Sequence, residues 1–195
     1  MENLKRKVRS YCLIPEDDLN YTLQFYRKVE RPKGEFVINA GQFVRHWYYV
    51  EKGCLCYYTL KDGRKQVVEF FSEDEFFTDI YAFVENIPSN CFVETMEDCV
   101  LYVINKDDVQ RSYDYSHQVE RFGRISMQET LLKVFRRVAH VNNLSNEERY
   151  LRLMEKRPRL FQRVPQYLIA SYLGLTPVGL SKIRKRLSSS SDLKL

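Results

Sequence analysis

Between about Val29 and Val109 apolar residues recur at every second position, interrupted at Pro32-Lys33-Gly34, Ala40-Gly41, Glu51-Lys52-Gly53 and Lys61-Asp62-Gly63-Arg64. A period of two sends alternate side chains to opposite faces of a strand. Turn residues at such short intervals predict an antiparallel sandwich or barrel. Its strands read as Glu35 to Asn39, Trp47 to Val50, Leu55 to Leu60, Gln66 to Phe71, Phe92 to Thr95 and Val100 to Ile104. Lys61-Asp62-Gly63-Arg64 is the strongest hairpin turn.

The period becomes helical near Ser116 and stays so to about Asn142. Met127, Leu131, Val134, Val138 and Val141 are spaced four, three, four and three apart, and Ile125, Leu132, Phe135 and Ala139 form an adjoining stripe. An apolar face this wide covers two surfaces, which suggests the sheet domain on one side and an identical helix of a second subunit on the other. Packing only within its own domain is the competing reading. Ser145-Asn146-Glu147-Glu148 is a capping box that opens a further helix through Met154, stopped by Pro158. Pro158 to Pro165 then reads as a linker.

Two short amphipathic segments follow and meet at one glycine. In the first, Leu168, Ile169, Tyr172 and Leu173 repeat at helical spacing, Pro165 stands at a favourable first helical position, and small Ala170 allows a second helix to cross closely. Gly174 permits the positive φ that ends it. Thr176-Pro177 is an N-cap followed by proline, so a second helix starts at once, with Leu180, Ile183 and Leu187 inward and Ser181, Lys182, Lys185 and Arg186 outward. That is the layout of a DNA-reading helix-turn-helix, in which the second helix enters the major groove. A helical hairpin with a solvated basic face is the plainer alternative. The tail from Ser188 to Ser191 and the four residues after it read as frayed.

Charge sharpens this picture. The chain of 195 residues carries a formal net charge of +5, but residues 143–195 hold 11 Lys/Arg against 4 Asp/Glu, whereas residues 1–142 hold 20 against 22. A local surplus of this kind favours phosphate, because each cation at a nucleic-acid backbone releases condensed counterions. A hydrophobic content of 44% fills a core, no run spans a membrane, and the N-terminus lacks a secretory apolar segment, so the cytoplasm is the expected compartment. Five cysteines leave one unpaired and form no Cys-x-x-Cys, so they read as reduced thiols, with Cys54 and Cys56 on one face of a strand. The ligand set of an iron–sulfur site is missing, and no cofactor is expected.

A glycine-punctuated sheet, one long helix and a C-terminal helix-turn-helix together resemble the Crp/Fnr family of bacterial transcription regulators. The likeness rests on Lys33-Gly34-Glu35, Gly41 and Gly53, on Phe70 to Phe77, and on Ile169-Ala170-Ser171-Tyr172-Leu173-Gly174-Leu175-Thr176-Pro177. It implies an α+β chain in three parts. Residues 1–115 would be a cyclic-nucleotide-binding-like antiparallel β-roll of the double-stranded β-helix or jelly-roll type. Residues 116–142 would be a dimerisation helix with Met127, Leu131, Val134 and Val138 along its seam, and residues 143–195 an all-α helix-turn-helix domain. It also implies double-stranded DNA and a second copy of the chain as partners, RNA polymerase as a further one, and a small-molecule effector of unknown identity.

The chain departs from that family in two places. Nucleotide-binding members hold the cyclic phosphate with a Gly-Glu pair and an Arg-Ser or Arg-Thr pair, and here those places look like Thr78-Asp79 and Pro88-Ser89-Asn90. Without the arginine fork the charge-assisted grip is lost, so cyclic AMP is not expected to bind. Asp79 retains the capacity to bond a ribose hydroxyl, while Glu75 and Asp79 would repel an unpaired anion. Phe71, Phe76, Phe77 and Tyr81 either wall a site for another ligand or serve as core packing. The second departure is the missing wing hairpin, since eight residues follow Leu187. By position in the motif, Pro177, Val178, Ser181 and Lys182 become the base readers, and Gln166, Tyr167, Thr176, Lys185 and Arg186 the phosphate contacts. Lys182 suits guanine, and Pro177 and Val178 suit thymine methyls.

Two rival readings compete with this one. Gly41, His46, Glu51 and Gly53 fall roughly where a cupin-like small-molecule-binding or metal enzyme would place its first motif, with the C-terminal helices as an interaction module. That motif needs a second histidine where Tyr48 stands, which leaves too few ligands for a metal. His46 then reads as a surface or packing residue. The third possibility is a sensor whose helix-turn-helix binds a protein. The sequence therefore favours a regulator that is not an enzyme.

Overall fold

The computed structural model describes residues 1–191. Its helices and strands run α1 (Glu2–Arg9), α2 (Glu16–Leu23), β1 (Arg27–Arg31), β2 (Phe36–Ile38), β3 (His46–Lys52), β4 (Leu55–Lys61), β5 (Arg64–Phe71), β6 (Phe76–Phe77), α3 (Ile80–Glu85), β7 (Phe92–Thr95) and β8 (Cys99–Asn105). The C-terminal part is helical: α4 (Lys106–Tyr115), α5 (His117–Asn143), α6 (Asn146–Lys156), α7 (Leu160–Arg163), α8 (Gln166–Tyr172) and α9 (Pro177–Ser191). Two four-stranded antiparallel sheets, ordered β1-β8-β3-β6 and β2-β7-β4-β5, face each other. The fold class is α+β, as the sequence implies.

The alternation along each strand decides what lies on either side of a sheet. In β3, Tyr48 and Val50 point into the core between the sheets, while Tyr49 points the other way, onto a cluster with Leu4, Leu19, Leu23 and Phe122 from α1, α2 and α5. Leu55 of β4 enters the core between the sheets, whereas Cys56 and Cys54, the residue just before the strand, point outward, both wholly buried beneath the C-terminal helices. Burial pushes both thiols up to about 12, which suits small apolar packing groups. The hairpin at Lys61 to Arg64 turns through Asp62 and Gly63, both at positive φ, as a tight two-residue turn requires. At Gly53 (φ +109°) a Cβ would approach the Cα of Cys99 to 2.9 Å, so only glycine fits.

Several boundaries differ from the sequence reading. The strand region ends at Asn105, whose side chain accepts the Asp107 N–H and starts α4, instead of running on to Val109. The expected linker from Pro158 to Pro165 contains α7, and α6 runs on to Lys156. Pro165 is the N-cap of α8 and not its first helical residue, with ψ 139°. Ser188 to Ser191 continue α9, the hydroxyls of Ser188 and Ser189 donating to the Lys185 carbonyl, so that part of the tail is helical. Residues 192–195 lie outside the described residues. No helix among the described residues is long and apolar enough to cross a membrane.

Candidate nucleic-acid interface

The helix-turn-helix is built by local chemistry at each end of the turn. Gly174 takes φ +69°, its N–H donates to the Ser171 carbonyl at 3.0 Å, and the Leu175 N–H reaches the Ala170 carbonyl at 2.8 Å. This 6→1, 5→2 pair closes α8 as a Schellman motif. Thr176 then accepts the Gly179 N–H on its hydroxyl at 3.1 Å and caps α9, with Pro177 as first residue. Leu168, Ile169, Ala170, Leu180 and Ile183 are buried together and set the crossing of the two helices.

The opposite face of α9 is open. Pro177, Val178, Ser181, Lys182, Lys185 and Arg186 are all exposed, as are Gln166 and Tyr167 at the start of α8 and Thr176 in the turn. Val178, Lys182 and Lys185 recur at helical spacing and share one face, which Arg184 flanks. Arg186 is held by Glu147 of α6, so its head is already oriented from a neighbouring helix. The sequence reading passed over Arg184, although its charge and spacing made it visible.

The helix-turn-helix does not stand apart from the roll. Cys54 and, from β4 and β5, Cys56, Tyr58, Val67 and Phe70 share one apolar cluster with α6, α8 and α9. Around its rim three arginines fasten the helices to the sheet. Arg137 donates to the Val67 carbonyl at 2.9 Å, Arg157 to Glu69 at 2.9 Å and the Phe70 carbonyl at 2.8 Å, and Arg163 to Glu73 at 2.8 Å and to Glu97.

Between α5 and the roll lies a cavity of about 330 Å³, mainly apolar, lined by Trp47, Tyr57, Phe71, Phe77, Val134 and Val138 among others. Phe76 and Thr78 also line it, whereas Tyr81 projects into solvent, 66% exposed. The other residues expected there are engaged or elsewhere. Asp79 is buried, caps α3 by accepting the Ala82 N–H, and accepts the Ser89 hydroxyl at 2.6 Å, so its oxygens are already used within the fold. Ser89 is buried with it and Asn90 is exposed. Glu75 is not a bare acid beside Asp79, because Lys133 reaches it at 2.7 Å and Arg157 at 3.4 Å. His46 packs near Tyr48 (6.1 Å between rings), and burial lowers its pKa, with help from Arg27. No group of three or more metal-ligating side chains occurs among the described residues.

The comparisons with known proteins place this architecture. Residues 28–115 match the cyclic nucleotide-binding domain. FixK2 from Bradyrhizobium japonicum has the same fold, with a TM-score of 0.73 at 19% identity over 85% of this chain and 86% of that one. The c-di-GMP-responsive global regulator CLP of Xanthomonas campestris aligns with a TM-score of 0.70 at 20% identity, over 91% and 93% of the two chains. A protein from Eubacterium rectale assigned to the crp/fnr family of transcriptional regulators gives 0.69 at 14% identity, over 91% and 85%. No curated protein matches the chain in sequence. Residues 28–115 are thus similar to a cyclic nucleotide-binding domain, and the chain shares the fold of these solved structures.

Proposed function

We propose that the protein is a DNA-binding transcription regulator, a homodimer that reads an inverted-repeat operator and does not answer to cyclic AMP. The observation that carries this reading is the exposed face of α9, where Val178 in the first turn and Lys182 and Lys185 beyond it share one open side while Leu180 and Ile183 anchor the helix from behind. That combination presents polar and cationic groups at a fixed angle, which reading base edges in a major groove requires. Pro177, Val178, Ser181 and Lys182 are the proposed readers. Gln166, Tyr167, Thr176, Lys185 and Arg186 are the proposed backbone contacts.

The dimer is proposed along α5. Leu131, Val134, Phe135 and Val138 leave 53–62% of their surface exposed, a continuous apolar stripe that a second copy of the helix would cover. Cyclic AMP is excluded from the proposal because Pro88-Ser89-Asn90 offers no arginine, and Asp79 is bonded to Ser89 and α3. The apolar cavity beside α5 suits a different, mainly apolar effector, and RNA polymerase is the further partner this role entails. Selecting bound sites from random duplexes tests the reading directly. A two-fold-symmetric consensus is expected, and recovery of no enriched sequence would refute it.

A further inference from the structure

The strongest unassigned feature is a cleft of about 260 Å³ where α5, α6, the end of α8 and the β5–β6 corner meet. From α5 it receives Lys133, Arg136, Arg137 and His140; from α6 it receives Arg149, Arg152 and Lys156, with Arg157 just beyond. Only two carboxylates line it, Glu69 and Glu75. These are consumed by Arg157 (2.9 Å and 3.4 Å) and Lys133 (2.7 Å).

The remaining cations lack a carboxylate in the cleft. Arg149 is aimed by neutral acceptors, the carbonyls of Leu173 at 3.1 Å and Leu144 at 2.9 Å. Arg137 is likewise held by neutral groups, one Nη on the Val67 and Tyr172 carbonyls and the guanidinium 4.3 Å over the Tyr172 ring. Among the described residues Arg136 and Arg152 make no ion pair, and Lys156 finds only its exposed neighbour Glu155 at 3.9 Å. Converging like charges repel one another. That repulsion is relieved by one ligand with several anionic oxygens. Burial and the charges of Arg152 and Arg136 also lower the pKa of His140, as a net positive lining would.

We propose that this cleft binds a small multivalent anion bearing a diphosphate group, free or carried on a nucleoside. Guanidinium forks match phosphoryl oxygens bidentately, and two phosphates span cations on both α5 and α6. DNA is the poorer occupant. On α6 the cleft takes Arg149, Arg152, Leu153 and Lys156, whereas Tyr150, Leu151 and Met154 face the groove beside α9 with Ser181 and Lys185. A duplex seated on α9 therefore lies on the other side of α6. Because the anion would join the long helix to α6, it would fix the helix-turn-helix relative to the roll.

The proposal does not rest on DNA binding and is tested without DNA. Calorimetric titration of the full chain with inorganic pyrophosphate should show one site per chain and tighter binding than sulfate at matched ionic strength. Replacing Arg136 and Arg152 by Ala should weaken it about tenfold per arginine. Both side chains are exposed, so the fold should survive, and an unchanged melting temperature without ligand checks this. Lys182→Ala, on α9, should bind pyrophosphate as the wild type does. Pyrophosphate should also raise the His140 imidazole pKa, read by NMR. ADP in parallel separates the sources: equal affinity assigns recognition to the diphosphate alone, and tighter ADP adds a nucleoside contact. The idea is overturned if the double variant binds like wild type, if Lys182→Ala loses as much, or if sulfate matches pyrophosphate with several ions bound per chain.

Discussion

Ser171 of α8 closes the outer edge of the β-roll at Val67: its hydroxyl accepts the Val67 N–H at 2.9 Å and donates to the Lys65 carbonyl at 2.9 Å. Strand β5 ends its sheet, so these groups would otherwise be an unpaired edge. One side chain from the helix-turn-helix thus supplies what a further strand would. Ser171→Ala leaves the Val67 N–H without that partner and should cost about 1–3 kcal/mol in denaturant unfolding. The diagnostic readout is amide exchange at Val67, which should speed up. Unchanged protection there would show that α8 is not what covers this edge.

A charge in the exposed stripe of α5 tests the dimer. Leu131→Glu or Val134→Glu should give monomers or aggregates by sedimentation, since a carboxylate cannot be buried unpaired against a second helix. Wild-type protein sedimenting as a monomer at micromolar concentration would remove the dimer from the proposal.

How much of this was legible in the sequence follows from how local each determinant is. The capping box of Ser145 and Glu148, the αL glycine at 174 and the Thr176 cap act within a few residues, and each forms as expected. Six strands announce themselves by alternation. Strand β1, Arg-Lys-Val-Glu-Arg, does not, because at the sheet edge it packs only Val29 inward. Helix α4 is hidden for the same reason, with Val109 and Tyr113 as its few inward apolar residues, and the short helices α1 and α2 were also missed. The exposed face of α9 was visible as a pattern. The docking of α8 on β5 was not, because Ser171 and Val67 lie 104 positions apart and nothing local marks their meeting.

The β-roll should give no heat with cyclic AMP or cyclic GMP. Asp79 is bonded to Ser89 and α3, and Lys133 of the cavity wall is committed to Glu75. Micromolar affinity for cyclic AMP in a calorimetric titration would overturn this and require a phosphate grip from elsewhere.

Alkaline pH should loosen the joint between roll and helices. Cys54 and Cys56 are held protonated by burial up to about 12, and Cys99 up to about 11, whereas an unfolded thiol ionises near about 8.5. A raised folded value means the stabilisation is complete below the unfolded pKa and lost as pH climbs toward the folded one. Unfolding free energy should therefore fall between about pH 8.5 and 10, by up to about 1.4 kcal/mol per pH unit for each thiol. Replacing Cys54 and Cys56 by Ala should flatten that slope, and an identical slope in the variant would assign it to other groups.

The last prediction separates reading from anchoring on α9. Two recognition helices in one dimer meet the same side of the duplex, so half-site centres should lie roughly 34 Å apart. Lys182→Ala should weaken specific binding by about 1–3 kcal/mol and relax preference at one base of each half-site, as expected for a side chain on a guanine edge. Lys185→Ala should lower affinity on all sequences alike and reduce the salt slope by about 1, the signature of one phosphate contact. Both side chains are exposed and lie outside the cluster of Leu180 and Ile183, so neither change should disturb the fold. If a selected operator is footprinted identically by wild type and both variants, α9 does not read DNA, and the regulator proposal loses the observation that carries it.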